Sequence, residues 1–312
     1  MRSHRFMRSH RKALCLLMSA FFIAATATAA FAQTGATAGQ CGFQTLTFPP
    51  PANNGGGAAL NDVGAIVGGF QDSKSHGHGF LLYQGKLTTF MFPGSTSTTV
   101  HDISRTGTIV GEYTVTGDSN THPFMVQSGG FHKITLPGFS NTTATATGVN
   151  ANGDVVGQVA SNTAVFGMGY LLHNGKLTIL SFPGAQGGTA PNSINDQGVI
   201  VGDYFLSSED HSHGFMWKDG VFSNVNPPDS NGAAFANKIS NTGAIVGTYV
   251  SAVEGHFHGF SFDNGTYTRI DVPGFQDTFI NAVNKFDNVL ASAQQATGTQ
   301  NAQFKGFCSA AF

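Results

Sequence analysis

Ile200-Val201-Gly202-Asp203-Tyr204, followed shortly by His213-Gly214-Phe215, is one copy of a pattern that runs through most of this 312-residue chain. Its first element recurs at Ile66-Val67-Gly68, Ile109-Val110-Gly111, Val155-Val156-Gly157 and Ile245-Val246-Gly247, with a degraded copy at Val289-Leu290-Ala291. Successive copies lie 43, 46, 45, 45 and 44 residues apart. An apolar strand ending in proline keeps the same beat at Pro49, Pro93, Pro137, Pro183, Pro227 and Pro273. So does the His-Gly-Phe element or a relative, at His78-Gly79-Phe80, His122-Pro123-Phe124, Met168-Gly169-Tyr170, His258-Gly259-Phe260 and, in the last copy, Lys305-Gly306-Phe307. Three markers in phase over six copies identify an internal repeat.

Each unit reads as four strands. The first ends in an aliphatic residue and an Asn or Ser, as at Leu60-Asn61, Ile103-Ser104 and Val149-Asn150, and a glycine (Gly64, Gly107, Gly153) follows three residues later. That spacing suits a tight hairpin turn. The second strand is the Ile-Val-Gly-x-Tyr segment. The third begins at His-Gly-Phe and meets the fourth through Gln84-Gly85, Asn174-Gly175, Asp219-Gly220 or Asn264-Gly265, the strongest short hairpin signal. The fourth alternates with period two, as in Phe90 and Phe92. Four-stranded units of this length, six times over, predict an all-β fold, a six-bladed β-propeller with four-stranded blades. A β-solenoid would need shorter coils, and isolated sandwiches of this length would have too small a core.

The ends of the chain have their own logic. Residues 1–32 carry Arg2, Arg5, Arg8, Arg11 and Lys12, then an apolar run, then Ala30-Phe31-Ala32 before Gln33. This is a signal peptide pattern, cleaved between Ala32 and Gln33. Residues 33–42 form a lead-in and 43–312 the propeller domain. Without the signal segment the charge is near −7 with no basic cluster, so nucleic acid is not an expected partner. No later apolar run is long enough to span a bilayer. The protein is expected to be secreted or periplasmic and monomeric. The chain begins with a fourth strand (residues 43–48) and ends with a third (304–308), so pairing the N-terminal strand with the C-terminal blade completes the ring and removes two exposed edges. Cys41 and Cys308 flank those strands, and an exported protein meets oxidising conditions. They are expected to form a disulfide, although the repeat alignment sets Cys41 about three residues from the position opposite Cys308.

Chain parity places the two tight turns at one end of the blades and the longer, variable connections at the other, where sites usually sit. That end receives the histidines His76, His78, His122, His211, His213, His256 and His258, candidates for ligand binding. His-x-His on a strand puts both rings on one face and could hold a transition ion. Recurrence of the second histidine at one blade position, and the absence of a carboxylate at consistent spacing, favour a structural hydrogen bond instead. No metal or cofactor is expected. After Val-Gly the residue differs in every unit: Gly69, Glu112, Gln158, Asp203, Thr248, Ser292. Glu112 and Asp203 are therefore the candidate catalytic pair if any chemistry occurs, flanking a substrate in the channel. No nucleophile elbow, metalloprotease, phosphate-loop or calcium-loop motif is present.

The markers Asn-x-x-Gly-x-Ile-Val-Gly-x-Tyr and His-Gly-Phe, seen together at residues 195–204 and 213–215, resemble the HAF family of extracellular bacterial repeats. The resemblance covers residues 43 to about 308. It implies export and repeat architecture, and it transfers no activity or catalytic residue. The expected function is a non-catalytic exported propeller that binds an extracellular ligand, protein or glycan through its loop-rich face. The alternative is an exported propeller hydrolase or lyase acting on polysaccharide or lactone substrates.

Overall fold

The computed structural model describes residues 41–160, 167–206, 208–209, 211–295 and 301–308. The expected signal segment with its cleavage point at Ala32 and Gln33 lies outside the described residues. The described strands form six four-stranded antiparallel sheets, the blades of a six-bladed β-propeller. In blade 1 the inner strand Gly56–Leu60 is followed outward by Ile66–Gln71, Gly77–Tyr83 and Lys86–Phe90. Blades 2 to 5 keep that order, with inner strands Ser97–Ile103, Ala144–Val149, Gly188–Ile194 and Ser230–Ile239. In blade 6 the strands Asp277–Val283, Asn288–Gln294 and Asn301–Cys308 take their outer partner, Cys41–Thr45, from the opposite end of the chain. Inner strands of adjacent blades touch all the way round, including the first against the last.

The repeated residues are those that make blades stack. Val67, Val110, Val156, Val201 and Val246 are fully buried, as are the rings of Phe80, Phe124, Tyr170, Phe215 and Phe260. Burying each such side chain contributes roughly 1.5–3 kcal/mol. The residue before the blade-ending proline stacks on the tyrosine of the next Ile-Val-Gly-x-Tyr strand: Phe92 on Tyr113 at 3.8 Å and Phe182 on Tyr204 at 3.6 Å between ring centres. Two of the sequence markers are thus the two halves of one inter-blade contact.

The glycine of Ile-Val-Gly has a steric cause. Every inner strand carries a register irregularity opposite it, between Gly57 and Ala59, Val100 and Asp102, Ala146 and Gly148, Pro191 and Ser193, Ala236 and Lys238, and Ile280 and Ala282. Such a bulge inserts one extra residue and bends the strand. It drives a carbonyl toward the neighbouring strand, so that a Cβ on Gly111 would lie 2.0 Å from the Thr99 oxygen, and one on Gly202 2.1 Å from that of Ala190. Only glycine fits so close a backbone approach.

Ring closure corrects two expectations. The outer strand of blade 6 begins at Cys41 rather than at Phe43, and Cys41 is the direct cross-strand partner of Cys308, to which it is disulfide-bonded. The three-residue offset came from the last His-Gly-Phe marker. Ala291 pairs with Phe304, as Gly68 pairs with Phe80, so Phe304 and not Phe307 is the repeat aromatic. Lys305-Gly306-Phe307 imitates the marker three residues late. With that corrected, Cys308 and Cys41 occupy the places of Gln84 and Gly85, and the disulfide stands where the other blades have a two-residue turn. It replaces a covalent hairpin with a covalent cross-link.

Reduction, or a Cys308→Ser substitution, should lower the unfolding free energy by up to about 5 kcal/mol, the chain-entropy limit for so long a loop. The effect would be read as a fall in the urea midpoint; an unchanged midpoint would show that strand pairing alone holds the ring shut.

Candidate functional site

The bulges that force the glycines also build the central channel. The extra residue of each inner strand is Ala58, His101, Thr147, Asn192, Asn237 or Asn281, and these six line a funnel of about 560 Å³. Each stands eleven positions before the variable residue that follows Val-Gly, and in blades 2, 4, 5 and 6 the two are in contact. Asn192 Nδ2 donates to Asp203 Oδ2 at 2.9 Å, Asn237 Nδ2 to Thr248 Oγ1 at 3.3 Å and Asn281 Nδ2 to Ser292 Oγ at 3.2 Å. His101 Nε2 lies 3.2 Å from Glu112 Oε2. The same side chains reach the next inner strand: Thr147 Oγ1 donates to the Pro191 carbonyl (2.6 Å), Asn192 to Ala236 (3.2 Å) and Asn237 to Ile280 (2.7 Å). Blade 1 breaks the pattern. Its pair is Ala58 and Gly69, beside Gly56 and Gly57, so its wall is recessed and adds backbone rather than side chain to the funnel.

Below the funnel the channel narrows to a cavity of about 50 Å³ at the tight-turn end. Between them Lys238 of blade 5 reaches across to Asp102 of blade 2, Nζ to Oδ1 2.9 Å, with both side chains about 10% exposed. Lys238 Nζ also donates to the His101 carbonyl, and Asp102 Oδ2 accepts the Val149 N–H. At the narrow end Arg105 of blade 2 donates to Asp196 of blade 4 at 2.5 Å. The funnel therefore opens toward the long connections and has a charged, hydrogen-bonded floor.

Glu112 and Asp203 are not brought together on the funnel wall. Each sits on a second strand, one strand behind the lining, engaged by the bulge residue of its own blade. Burial pushes the Asp203 carboxyl up to about 7, opposed by hydrogen bonds from Asn192 and from the Ala236 N–H. The six channel residues were missed by the sequence reading, although their fixed offset from the variable position was available as a signal.

The histidines lie at the long-connection end, as parity required, and each is matched with an acid. The expectation of no consistent carboxylate spacing is overturned: Asp118, Glu209 and Glu254 precede the second histidine by four residues, and in blade 1 Asp72 precedes it by six. His78 Nε2 lies 3.2 Å from Asp72, His122 Nε2 2.9 Å from Asp118, His213 Nε2 2.5 Å from Glu209 and His258 Nε2 3.4 Å from Glu254. Each of these rings also packs on the aromatic of the neighbouring strand, Phe70, Tyr113, Tyr204 or Tyr249. The first histidines diverge. His76 Nδ1 approaches Asp72 (3.3 Å), His211 Nε2 approaches Glu209 (3.0 Å), and His256 turns to Asp277 and Gln276. Backbone N–H donors hold the Asp72 and Asp118 carboxyls below the usual range, those of His76 and Asn120 foremost, and Arg269 does the same for Glu254.

No family model and no curated protein matches the chain. Solved structures do match. The β-propeller domain of the Trilobed protease from Pyrococcus furiosus superposes with a TM-score of 0.54 at 12% identity, over 81% of this chain and 79% of that one. TolB from Acinetobacter baumannii gives 0.51 at 10% identity, over 78% of this chain and 65% of that one, so the likeness spans just under two thirds of TolB. A fucose-specific lectin from Aleuria aurantia gives 0.48 at 12% identity, over 84% and 93%. At such identities the likeness is one of fold. The archaeal propeller has an open velcro topology, whereas here the outer strand and a disulfide close the ring.

Two predictions follow from the channel. Lys238→Ala leaves Asp102 buried and unpaired and should cost about 3–5 kcal/mol, whereas Lys238→Met combined with Asp102→Asn recovers part of the loss; chemical denaturation reads both. The second concerns Asp203. Its native carboxyl keeps a proton that the unfolded chain, with an ordinary value near 3.8, has already lost. Unfolding therefore becomes easier as pH rises. The penalty is absent below about 4, grows toward 7 and is complete above it. The fall in Tm between pH 5 and pH 8 should be smaller in Asp203→Asn than in the native protein, and equal slopes would remove Asp203 as its cause.

Proposed function

We propose that this protein is an exported, non-catalytic repeat propeller of the HAF type that binds an extracytoplasmic ligand, a glycan or a protein segment, at the loop-rich mouth of its channel. The observation that carries this reading is the funnel of about 560 Å³, ringed by amide, hydroxyl and imidazole groups, recessed at blade 1 and closed below by Lys238 and Asp102. Ligand pockets are concave sites of this size with a few fixed polar groups. Neutral amide donors and acceptors match a hydroxyl-rich ligand, and the Ala58 recess gives its bulk a place that the other blades fill with side chains. The Cys41–Cys308 disulfide supports an oxidising compartment. Among the described residues no helix is long and apolar enough to cross a membrane.

The catalytic alternative, hydrolysis or elimination on a polysaccharide or lactone, is favoured by one observation, the Asp203 carboxyl raised to about 7, a value suited to a general acid. Its partner Glu112 belongs to another blade and is tied to His101.

Ala58→Trp tests the site, because it fills the recess while leaving the polar ring and the floor untouched. On a glycan array, and against extracellular polymer in solution, binding should fall at least tenfold in Ala58→Trp with Tm unchanged. Binding that survives the substitution would move the site off the channel. Turnover of a polysaccharide or lactone that disappears in both Glu112→Ala and Asp203→Ala would replace the binding reading with the catalytic one.

A further inference from the structure

We propose that Glu209, His211 and His213, at the loop-rich rim of blade 4, form a binding site for a divalent transition ion of the zinc class. Among the described residues this is the one group of three histidine, cysteine or carboxylate side chains whose donor atoms all lie within 4.8 Å of one another. A single oxygen, Glu209 Oε2, stands 3.0 Å from His211 Nε2 and 2.5 Å from His213 Nε2, and the two rings are 4.9 Å apart. Zinc binds imidazole nitrogen and carboxylate oxygen at about 2.0–2.2 Å, which in a tetrahedral site sets donors about 3.3 Å from each other. Each nitrogen would have to move away from the Glu209 oxygen by less than about 1 Å to reach that spacing. Two imidazoles and one carboxylate leave a fourth position for water.

Blade 4 differs from its siblings in how these rings are held. His211 lies against Gly232, at the start of the longest inner strand, Ser230–Ile239. A Cβ at Gly232 would lie 2.3 Å from His211 Nε2, so the missing side chain is what admits the ring, and φ is +106° there. His213 is stacked on Tyr204 and is about 12% exposed. In blade 2 the first histidine is replaced by Asn120, which bonds the same acid, and in blade 5 His256 has turned away to Asp277 and Gln276. In blade 1 His76 is about half exposed and Asp72 spends its other oxygen on the N–H groups of Lys74 and His76. The recurring acid–histidine contact is structural; blade 1 also brings two imidazoles to one oxygen, Asp72 Oδ2, but among the described residues only in blade 4 do all three donors lie within 4.8 Å of one another.

One neighbour sets the strength of the site. Asn226 Oδ1 accepts the Gly214 N–H at 2.9 Å, which leaves Asn226 Nδ2 facing His213 Nδ1 at 3.5 Å. A His213 ligating through Nε2 carries its proton on Nδ1 and would then point a donor at a donor. Metal-bound histidines normally give that proton to an acceptor, and such partners alter affinity by about 10–100-fold. Asn226→Asp keeps an acceptor for Gly214 and supplies one for His213.

Isothermal titration of the chelator-treated, purified protein with zinc chloride tests this independently of the channel ligand. The expected result is one ion per chain, at least tenfold weaker in His211→Ala and in Glu209→Gln, about tenfold tighter in Asn226→Asp, and unchanged in His76→Ala. No binding up to millimolar zinc, binding that His211→Ala leaves intact, or an equal loss in His76→Ala would overturn the site. An affinity that Asn226→Asp leaves unaltered would overturn ligation through His213 Nε2.

Discussion

Six inner strands have to run side by side around one axis, and among the described residues no strand of one blade pairs with a strand of the next. Side chains supply that link. Asn61 Nδ2 donates to the Ser104 carbonyl, Asn150 to that of Asn195, Asn195 to that of Ser240, and Asn284 of the last blade to that of Asn61 in the first, at 3.1–3.3 Å. In each of these asparagines Oδ1 also accepts N–H groups of its own turn, so one residue shapes the hairpin and ties it to the neighbour. Ser104 and Ser240 shape their own turns in the same way. Buried polar groups of this kind are stable only when satisfied, and here satisfaction and ring geometry are one condition.

That division of labour makes the axis polar and the space between blades apolar. Aliphatic and aromatic residues of the second and third strands fill the wedges, as in the cluster of Val67, Phe92, Val100, Tyr113 and Phe124 between blades 1 and 2. Along the axis, a bulge in every inner strand turns one residue inward, and Thr147, Asn192 and Asn237 at that position bond back to their own blade and on to the next. The channel wall is thus a by-product of how the strands are held together. Its recess, at Ala58 and Gly69, is where the blade offers no polar side chain to the wall, and its floor is an ion pair between opposite blades, a contact no single repeat can make.

Individual residues show where the sequence could be read and where it misled. Val67 and Val201, the turn after Asn195, and the pairing of the two ends follow from alternation, turn chemistry and edge strands, and the structure has them. Lys305-Gly306-Phe307 matched the repeat marker by residue type but not by register, because only the partner Ala291 shows that Phe304 is the aromatic in phase. The acids Asp118, Glu209 and Glu254 sit in variable loops, where no motif marks them, yet a common distance from the histidine recovers them.

By itself the sequence determined the number of blades, the strands within each and the face that carries the long loops, because those depend on local alternation and turns repeated often enough to be recognised. Only the tertiary structure decided which residues meet at the axis. Asn192 and Ala236, Lys238 and Asp102, and Asn284 and Asn61 are distant in sequence, and a one-residue bulge determines whether a side chain enters the channel or turns into the blade. Such contacts depend on closing the ring, and closure is a property of six blades together.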